Sequence, residues 1–226
     1  MIKSIKNLTK FESGLWIFSL VMVAGSFMIG GTDDYLTLTA SLIGVTALIF
    51  VSKGDVAGQI LTAVFSMLYA VISYSFDYYG EMITYLGMTM PIALMSVVSW
   101  IKNPYDEKEV KVAHLSTGQI LKVLILSMIV TFLFYFVLKY FGTTNLIVST
   151  ISITTSFLAS FFMYLRSSAY ALSYAANDIV LIILWIMASL DNISYLPMIV
   201  CFAMFFINDI YGFINWRRMK KRQTEK

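Results

Sequence analysis

Residues 169–190 read AYALSYAANDIVLIILWIMASL, and in this whole stretch the only formal charge is Asp178. About 20 apolar residues of helix cross the roughly 30 Å hydrocarbon core of a bilayer. Tyr170, Tyr174, Asn177, Asp178, Leu181 and Trp185 recur at three- and four-residue intervals, so they share one helical face. An acid near the middle of a span costs about 2.5–3.5 kcal/mol on insertion scales and is expected to face a cavity or a partner. The stretch therefore says that the solvent is lipid and that the bundle has a polar interior.

The rest of the chain repeats the pattern. Stretches without Lys, Arg, Asp or Glu run over 13–32, 35–52, 56–76, 82–101, 123–138 and 140–165, and two more, 167–190 and 192–216, are broken by a single Asp each. Composition agrees: 59% hydrophobic and 13% charged residues, against about 45–50% and 25% in soluble domains, with a mean hydropathy of +0.79. The runs do not alternate as barrel strands do, and lipid admits only helices or closed barrels. The sequence thus predicts an all-α membrane protein of eight transmembrane helices. Lys3, Lys6 and Lys10 precede the first span and Ala24-Gly25-Ser26 falls late in it, but the run is long for a signal peptide and lacks a clean cleavage motif, so it is read as a retained helix.

Basic residues orient the bundle. With eight spans both termini share a side, which holds Lys3, Lys6, Lys10, Lys53, Lys102, Lys108, Lys111, Lys122, Arg166 and six more in the tail WRRMKKRQTEK; only Lys139 falls opposite, with Asp33, Asp34, Asp77, Glu81 and Asp191. The termini and the 102–118 loop are expected in the cytoplasm, the protein as a multi-pass protein of the cell membrane. The basic tail fits topology and anionic lipid rather than nucleic acid.

Span counting divides the chain into an extra N-terminal helix (1–33), a three-helix bundle (34–101), a cytoplasmic loop (102–118), a linker helix (119–143), a second three-helix bundle (144–216) and a basic tail (217–226). The triplets end in Trp100 and Trp216, and an odd triplet plus one linking helix gives two parallel repeats.

The candidate site collects the polar groups inside the spans. Asn177 and Asp178 lie near the midplane of the seventh span, with Tyr174 and Trp185 on the same face; Asn208 and Asp209 lie at comparable depth in the eighth. The third span carries Gln59, Thr62, Ser66, Tyr69 and Ser73 as one polar stripe, read as pore lining; Ser149, Ser152, Ser156 and Ser160 form a stripe in the sixth, read as helix packing. Pro91 suggests a kink in the fourth span. Without an intramembrane Lys or Arg beside the two Asp residues, a cationic ligand, bound water or a shifted proton equilibrium remain as their counterparts.

Much is excluded. One Cys (Cys201) and one His (His114) give no disulfide framework and no multi-residue metal site; a catalytic triad would have to use His114 in its loop; no span has a central Lys for a Schiff base, and no phosphate-binding loop occurs. No cofactor and no enzymatic activity are expected. A small transporter remains, with a non-transporting receptor or scaffold as the alternative of a different class.

At NDIVLIILW (177–185) and INDIYGFINW (207–216) the sequence resembles the PnuC family of vitamin transporters, compatibly over residues 34–216. The resemblance implies a SWEET-like 3+1+3 fold of two three-helix bundles and a linker, here preceded by one helix. It further implies uptake of nicotinamide riboside, an NAD precursor, by facilitated diffusion with alternating access, trapping through phosphorylation by a cytoplasmic kinase, and a homo-oligomer, a trimer. Relatives take thiamine, riboflavin or deoxynucleosides, and proton-coupled symport stays open beside uniport. The family pattern often has Gln near Ser160 and Trp where this chain has Tyr170 and Tyr174, positions that bear on which vitamin is carried. A cationic ring with an amide and ribose hydroxyls suits an aromatic face, an amide side chain and Asp178.

A cysteine placed at Glu109 is expected to react with an impermeant maleimide only in opened cells; labelling from outside intact cells contradicts the topology.

Overall fold

A computed structural model of the chain describes residues 2–30, 34–106, 109–191 and 195–225; Asp33, Lys108 and Lys226, used in the charge count, lie outside the described residues. The helices are α1 (Ile2–Lys6), α2 (Lys10–Gly30), α3 (Tyr35–Ser52), α4 (Val56–Ser75), α5 (Tyr79–Thr84), α6 (Met90–Ile101), α7 (Thr117–Tyr140), α8 (Leu146–Tyr164), α9 (Ala169–Asp191) and α10 (Leu196–Thr224), with a π-helical turn, Tyr85–Thr89, joining α5 to α6. Taking α5, the turn and α6 as one span, eight helices are long and apolar enough to cross a membrane, as expected. The turn is the counterpart of the expected kink. Pro91 has no N–H and its ring crowds the carbonyl four residues back, and a wide turn just ahead of it absorbs that conflict.

Six spans form a ring in the order α3, α4, α5/α6, α8, α9, α10, with α10 closing on α3. In each triplet the middle helix, α4 or α9, lies between the other two, and α5/α6 meets α8 just as α10 meets α3. This is the expected pair of parallel three-helix bundles. The linker α7 packs outside the ring on α8, and α2 packs outside on α3 and α10, so linker and extra helix hold corresponding places. Both open on reciprocal capping boxes. Thr9 N–H donates to Glu12 Oε2 (2.6 Å) and Glu12 N–H to Thr9 Oγ1 (3.2 Å); Ser116 N–H donates to Gln119 Oε1 (2.8 Å) and Gln119 N–H to Ser116 Oγ (3.3 Å).

The repeat extends to single hydrogen bonds. After α3 the chain turns through Gly54 (φ 71°), and after α8 through Arg166 (φ 56°). The next residue caps the following helix in both places: Asp55 Oδ1 accepts from Ala57 N–H (2.9 Å), and Ser167 Oγ from Ala169 N–H (3.3 Å). The terminal tryptophans cross over. Trp100 Nε1 donates to Met163 O near the end of α8 (3.3 Å), and Trp216 Nε1 to Val51 O near the end of α3 (2.9 Å). The last turn of a helix leaves such carbonyls free, so each bundle's final tryptophan satisfies the other bundle's first helix. Both indoles are buried, with ring centroids 5.5 Å apart; they are not the exposed interface anchors that terminal Trp residues suggest.

The 102–118 connector is docked rather than free. Val110 N–H donates to Gly54 O (3.0 Å) and Ala113 N–H to Arg166 O (2.9 Å), so the connector joins the same turn of both repeats. Val110 and Val112 are buried. α10 continues as helix through most of the basic tail, where Arg222 pairs with Glu109 and Gln223 Oε1 accepts from Val112 N–H (2.8 Å). Glu12, buried on α2, accepts from Lys53 Nζ (2.9 Å) and Tyr211 OH (2.8 Å) and ties α2 to the α3 turn and α10.

Gly58 is where α4 leaves α3: a Cβ there would sit 2.4 Å from Val51 N and 2.9 Å from Phe50 C, backbone atoms that cannot swing away. Gly58→Ala should destabilise the protein by about 1–3 kcal/mol, the range for overpacking, seen as earlier loss of the monodisperse species on heating in detergent. Gly14→Ala, with nothing within 4 Å, should change little; equal behaviour of the two variants contradicts the close approach.

Candidate functional site

The ring encloses a cavity whose lining includes Gly44, Thr62, Phe65, Ser66, Tyr85, Thr89, Tyr174, Asn177, Asp178, Phe205 and Asp209. About 40 Å³ of it is open to water centres, space for a few waters and far below the several hundred Å³ of a typical small-molecule site. The helices around it are therefore drawn together. The π-helical turn supplies two of the lining residues, Tyr85 and Thr89.

Asp178 from α9 and Asp209 from α10 both line this cavity, and both are almost wholly buried. Among the described residues no ion pair reaches either of them, and Asp178 Oδ2 has no hydrogen-bond partner.

Asn177 is fixed from α8. Its Oδ1 accepts from Thr155 Oγ1 (2.8 Å) and Ser156 Oγ (2.9 Å), with Ser152 Oγ at 3.3 Å. The carbonyl oxygen is thereby saturated, and among the described residues no acceptor faces the amide nitrogen, which stays available as a donor at the cavity. Ser160 Oγ lies 3.1 Å from Tyr174 OH. The serine stripe of α8 thus orients the polar residues of α9 as well as packing against it.

The α4 stripe divides. Thr62 and Ser66 line the cavity while donating to their own backbone, at Gly58 O (2.9 Å) and Thr62 O (2.8 Å). Gln59 is buried nearer the start of α4, outside the cavity lining, with Nε2 unpartnered. Tyr69 and Trp185 also lie outside it. Trp185 Nε1 donates to Tyr69 OH (3.0 Å), and the indole packs among Phe76, Tyr78 and Tyr195 at centroid distances of 5.3–6.0 Å. Tyr69 stacks on Phe65 and meets Tyr85 and Phe202 edge-on. These rings form a plug toward the end of the bundle where α4 joins α5. At the other end Tyr170 packs on Trp216, which packs on Trp100.

The two Asn-Asp pairs are not equivalent. Asn208 donates to Ser19 Oγ (2.9 Å) and Met204 O (2.8 Å), so it faces α2, while its neighbour Asp209 faces the cavity. A step of one residue turns a helix by about 100°, and on α10 that step separates the outer face from the inner one.

Sequence reasoning placed Glu81 in a charged outer loop. The residue lies instead on α5 and is fully buried. Its Oε2 accepts from Ser152 Oγ (3.3 Å), and Oε1 has no partner. Counting charge-free residues starts a span after its first acid, so a span that begins with a buried acid is read too short. Phe65, Tyr85 and Phe205 were likewise missed, since nothing in an apolar residue type separates cavity from lipid. Among the described residues no group of three or more His, Cys, Asp or Glu side chains is placed to hold a metal ion.

Comparison with known proteins bears on this arrangement. Residues 34–218 match the family model described as nicotinamide mononucleotide transporter. The nicotinamide riboside transporter PnuC of Neisseria mucosa is 27% identical over 222 residues, covering 96% of this chain and 84% of that protein. The nicotinamide riboside transporter PnuC of Haemophilus influenzae is 21% identical over 193 residues, covering 84% and 82%. A crystal structure of the vitamin B3 transporter PnuC superposes with a TM-score of 0.84 at 27% identity, over 96% of this chain and 94% of that one.

Trp185→Phe keeps the ring packing and removes the donor to Tyr69. It should cost about 1 kcal/mol, the net value of one buried hydrogen bond, detected as a lower midpoint of thermal unfolding in detergent. An unchanged midpoint contradicts the bond.

Proposed function

The chain belongs to the nicotinamide mononucleotide transporter family of membrane transporters, and from that premise we propose that it carries nicotinamide riboside, a vitamin B3 precursor, into the cell. The observation that carries the choice of substrate is the sign of the interior. Asp178, Asp209 and Glu81 are buried inside the ring without a cationic partner among the described residues. The riboside has a cationic ring and no phosphate. The mononucleotide adds a phosphate that carboxylates repel, and a Lys or Arg is what normally receives it. Thiamine shares the positive charge and is the next candidate; neutral deoxynucleosides leave the two Asp residues without an electrostatic role.

In this reading Asn177 donates its amide to the carboxamide or ribose, Tyr174 offers a ring face, and Asp178 with Asp209 offsets the ring charge. Trp185 and Tyr69 contact the substrate when the plug opens, Gln59 when the opposite end opens. Asn208 fastens α2 and acts indirectly. A cavity this small must expand to load, and the aromatic groups at its two ends are the elements that part, one at a time, in alternating access. The matching hydrogen bonds of the two bundles support such a rocking motion.

Transport is proposed as a uniport by facilitated diffusion. A cytoplasmic kinase then adds a phosphate that the acidic interior no longer accepts, which traps the product. The distribution of basic residues supports a cytoplasmic position for both termini, in a protein of the cell membrane. The family resemblance favours a homotrimer, with the exposed apolar face of α7 available to lipid or a neighbouring copy. The facing Asp178 and Asp209 favour proton symport as a second reading, and one experiment separates the two. Purified protein in liposomes should let nicotinamide riboside equilibrate and no further; accumulation under an imposed proton gradient contradicts the uniport. Asn177→Ala should weaken riboside binding in calorimetry by about 1–3 kcal/mol, the cost of an unsatisfied partner in a dry site; unchanged affinity of the folded variant places the site elsewhere.

A further inference from the structure

We infer that Glu81 is a charge-selecting residue of the translocation path, an outer way-station that receives a cationic ring between the aromatic plug and the central cavity. The inference rests on the riboside reading above and adds a residue that motif and charge counting did not reach.

Glu81 is fully buried on the first helical turns of the fourth span, and a carboxyl group in such a place needs hydrogen bonds or a counter-charge. It has one weak hydrogen bond, from Ser152 Oγ at 3.3 Å, and that hydroxyl is shared: it lies at the same 3.3 Å from Asn177 Oδ1. A serine carries a single proton, so it serves one acceptor at a time. Asn177 Oδ1 already has Thr155 and Ser156 at shorter distances. Among the described residues Glu81 Oε1 has no partner. A helix-packing acid would be expected to show its bonds in the closed bundle; this one lacks them.

Its position on the path is specific. Glu81 lies about one helical turn before Tyr85 on the same span, and the Tyr85 ring meets Tyr69 edge-on with centroids 4.4 Å apart. Tyr69 accepts from the plug's Trp185 (3.0 Å), and Tyr85 lines the cavity. Through Ser152 the carboxyl group reaches Asn177, also on the cavity wall. Glu81 thus lies beside the cavity wall, one shared hydroxyl from Asn177 and about one helical turn from Tyr85. A cation entering past Trp185 meets two aromatic faces and then a carboxylate, before the Asp178–Asp209 pair. Among the described residues, Thr89 Oγ1 and Asp178 Oδ2 are further unpartnered atoms of residues that line the cavity.

The test compares two substrates of nearly one shape, nicotinamide riboside and its reduced form, whose ring is neutral, in uptake by liposomes holding parent, Glu81→Gln or Glu81→Asp protein. Glu81→Gln should lower uptake of the cationic form about tenfold, the loss of one charge-assisted contact, chiefly through KM. It should leave the neutral form within about twofold, and Glu81→Asp should restore much of the preference for the cation. Thermal unfolding and gel filtration of each variant show that the bundle is intact. Unchanged uptake of both forms by Glu81→Gln overturns the inference, and so does an equal fall for both, which marks a structural role. A parent that carries neither form refutes the riboside reading itself, before any variant is compared, and this inference falls with it.

Discussion

Carboxyl groups inside a membrane bundle cannot face hydrocarbon, and the rest of this structure is arranged around that constraint. Asp178 and Asp209 stand on adjacent helices, line the cavity inside the ring, and have no ion-pair partner among the described residues. Facing lipid, either group carries a cost of several kcal/mol. Both helices are therefore held with one face inward; Thr62, Phe65 and Ser66 of α4 with Tyr85 and Thr89 of the π-helical turn continue the wall, and hydroxyls of α8 fix Asn177. Two neighbouring carboxyl groups oppose each other's ionisation, so under the proposed function a cationic substrate would offset a conflict that folding has left in place. Binding there would draw on interactions that the unloaded protein does not satisfy by itself.

The same geometry explains why the cavity is small here. The hydrogen bonds of Trp100 and Trp216 run between the bundles near one end, and the Trp185–Tyr69 bond lies in the plug toward the other. Each bond is of modest net strength, about 1 kcal/mol, and each can be exchanged for contacts with substrate or water. The two halves are near-copies down to the turns at Gly54 and Arg166. A symmetric frame of this kind can pivot about its middle while its ends open in turn. The docked connector touches the same turn of both halves and links them across the mouth.

Most of the architecture was legible in the sequence, because lipid enforces a simple rule: runs without charge become spans. Eight spans, the two triplets and the inward face of α9 all follow from it. The inward face followed from the spacing of Tyr174, Asn177 and Asp178 alone. Three features were not legible, each for a physical reason. Glu81 marked the edge of a charge-free run and was taken for a loop residue, although the first turns of α5 bury it. Asn208 looks like Asn177 in sequence, but α10 has α2 against its outer side, and the asparagine turns there. Trp100 and Trp216 resemble interface anchors until the crossing hydrogen bonds are seen; these depend on a helix end far away in sequence. Periodicity reports a face, and only packing reports what that face meets.

In the proposed function the acidic interior of the ring, and no surface groove, binds the cationic vitamin. The most direct measurement is an experimental structure of the protein with nicotinamide riboside bound. The account predicts density for the ring and ribose between α4, α9 and α10, in a cavity enlarged by separation of these helices. It further predicts a substrate oxygen within hydrogen-bonding distance of the Asn177 amide nitrogen, and the pyridinium ring beside Asp178 and Asp209. Density in the basic pocket around Arg217, Lys220 and Lys221, with the ring interior still contracted, would contradict it.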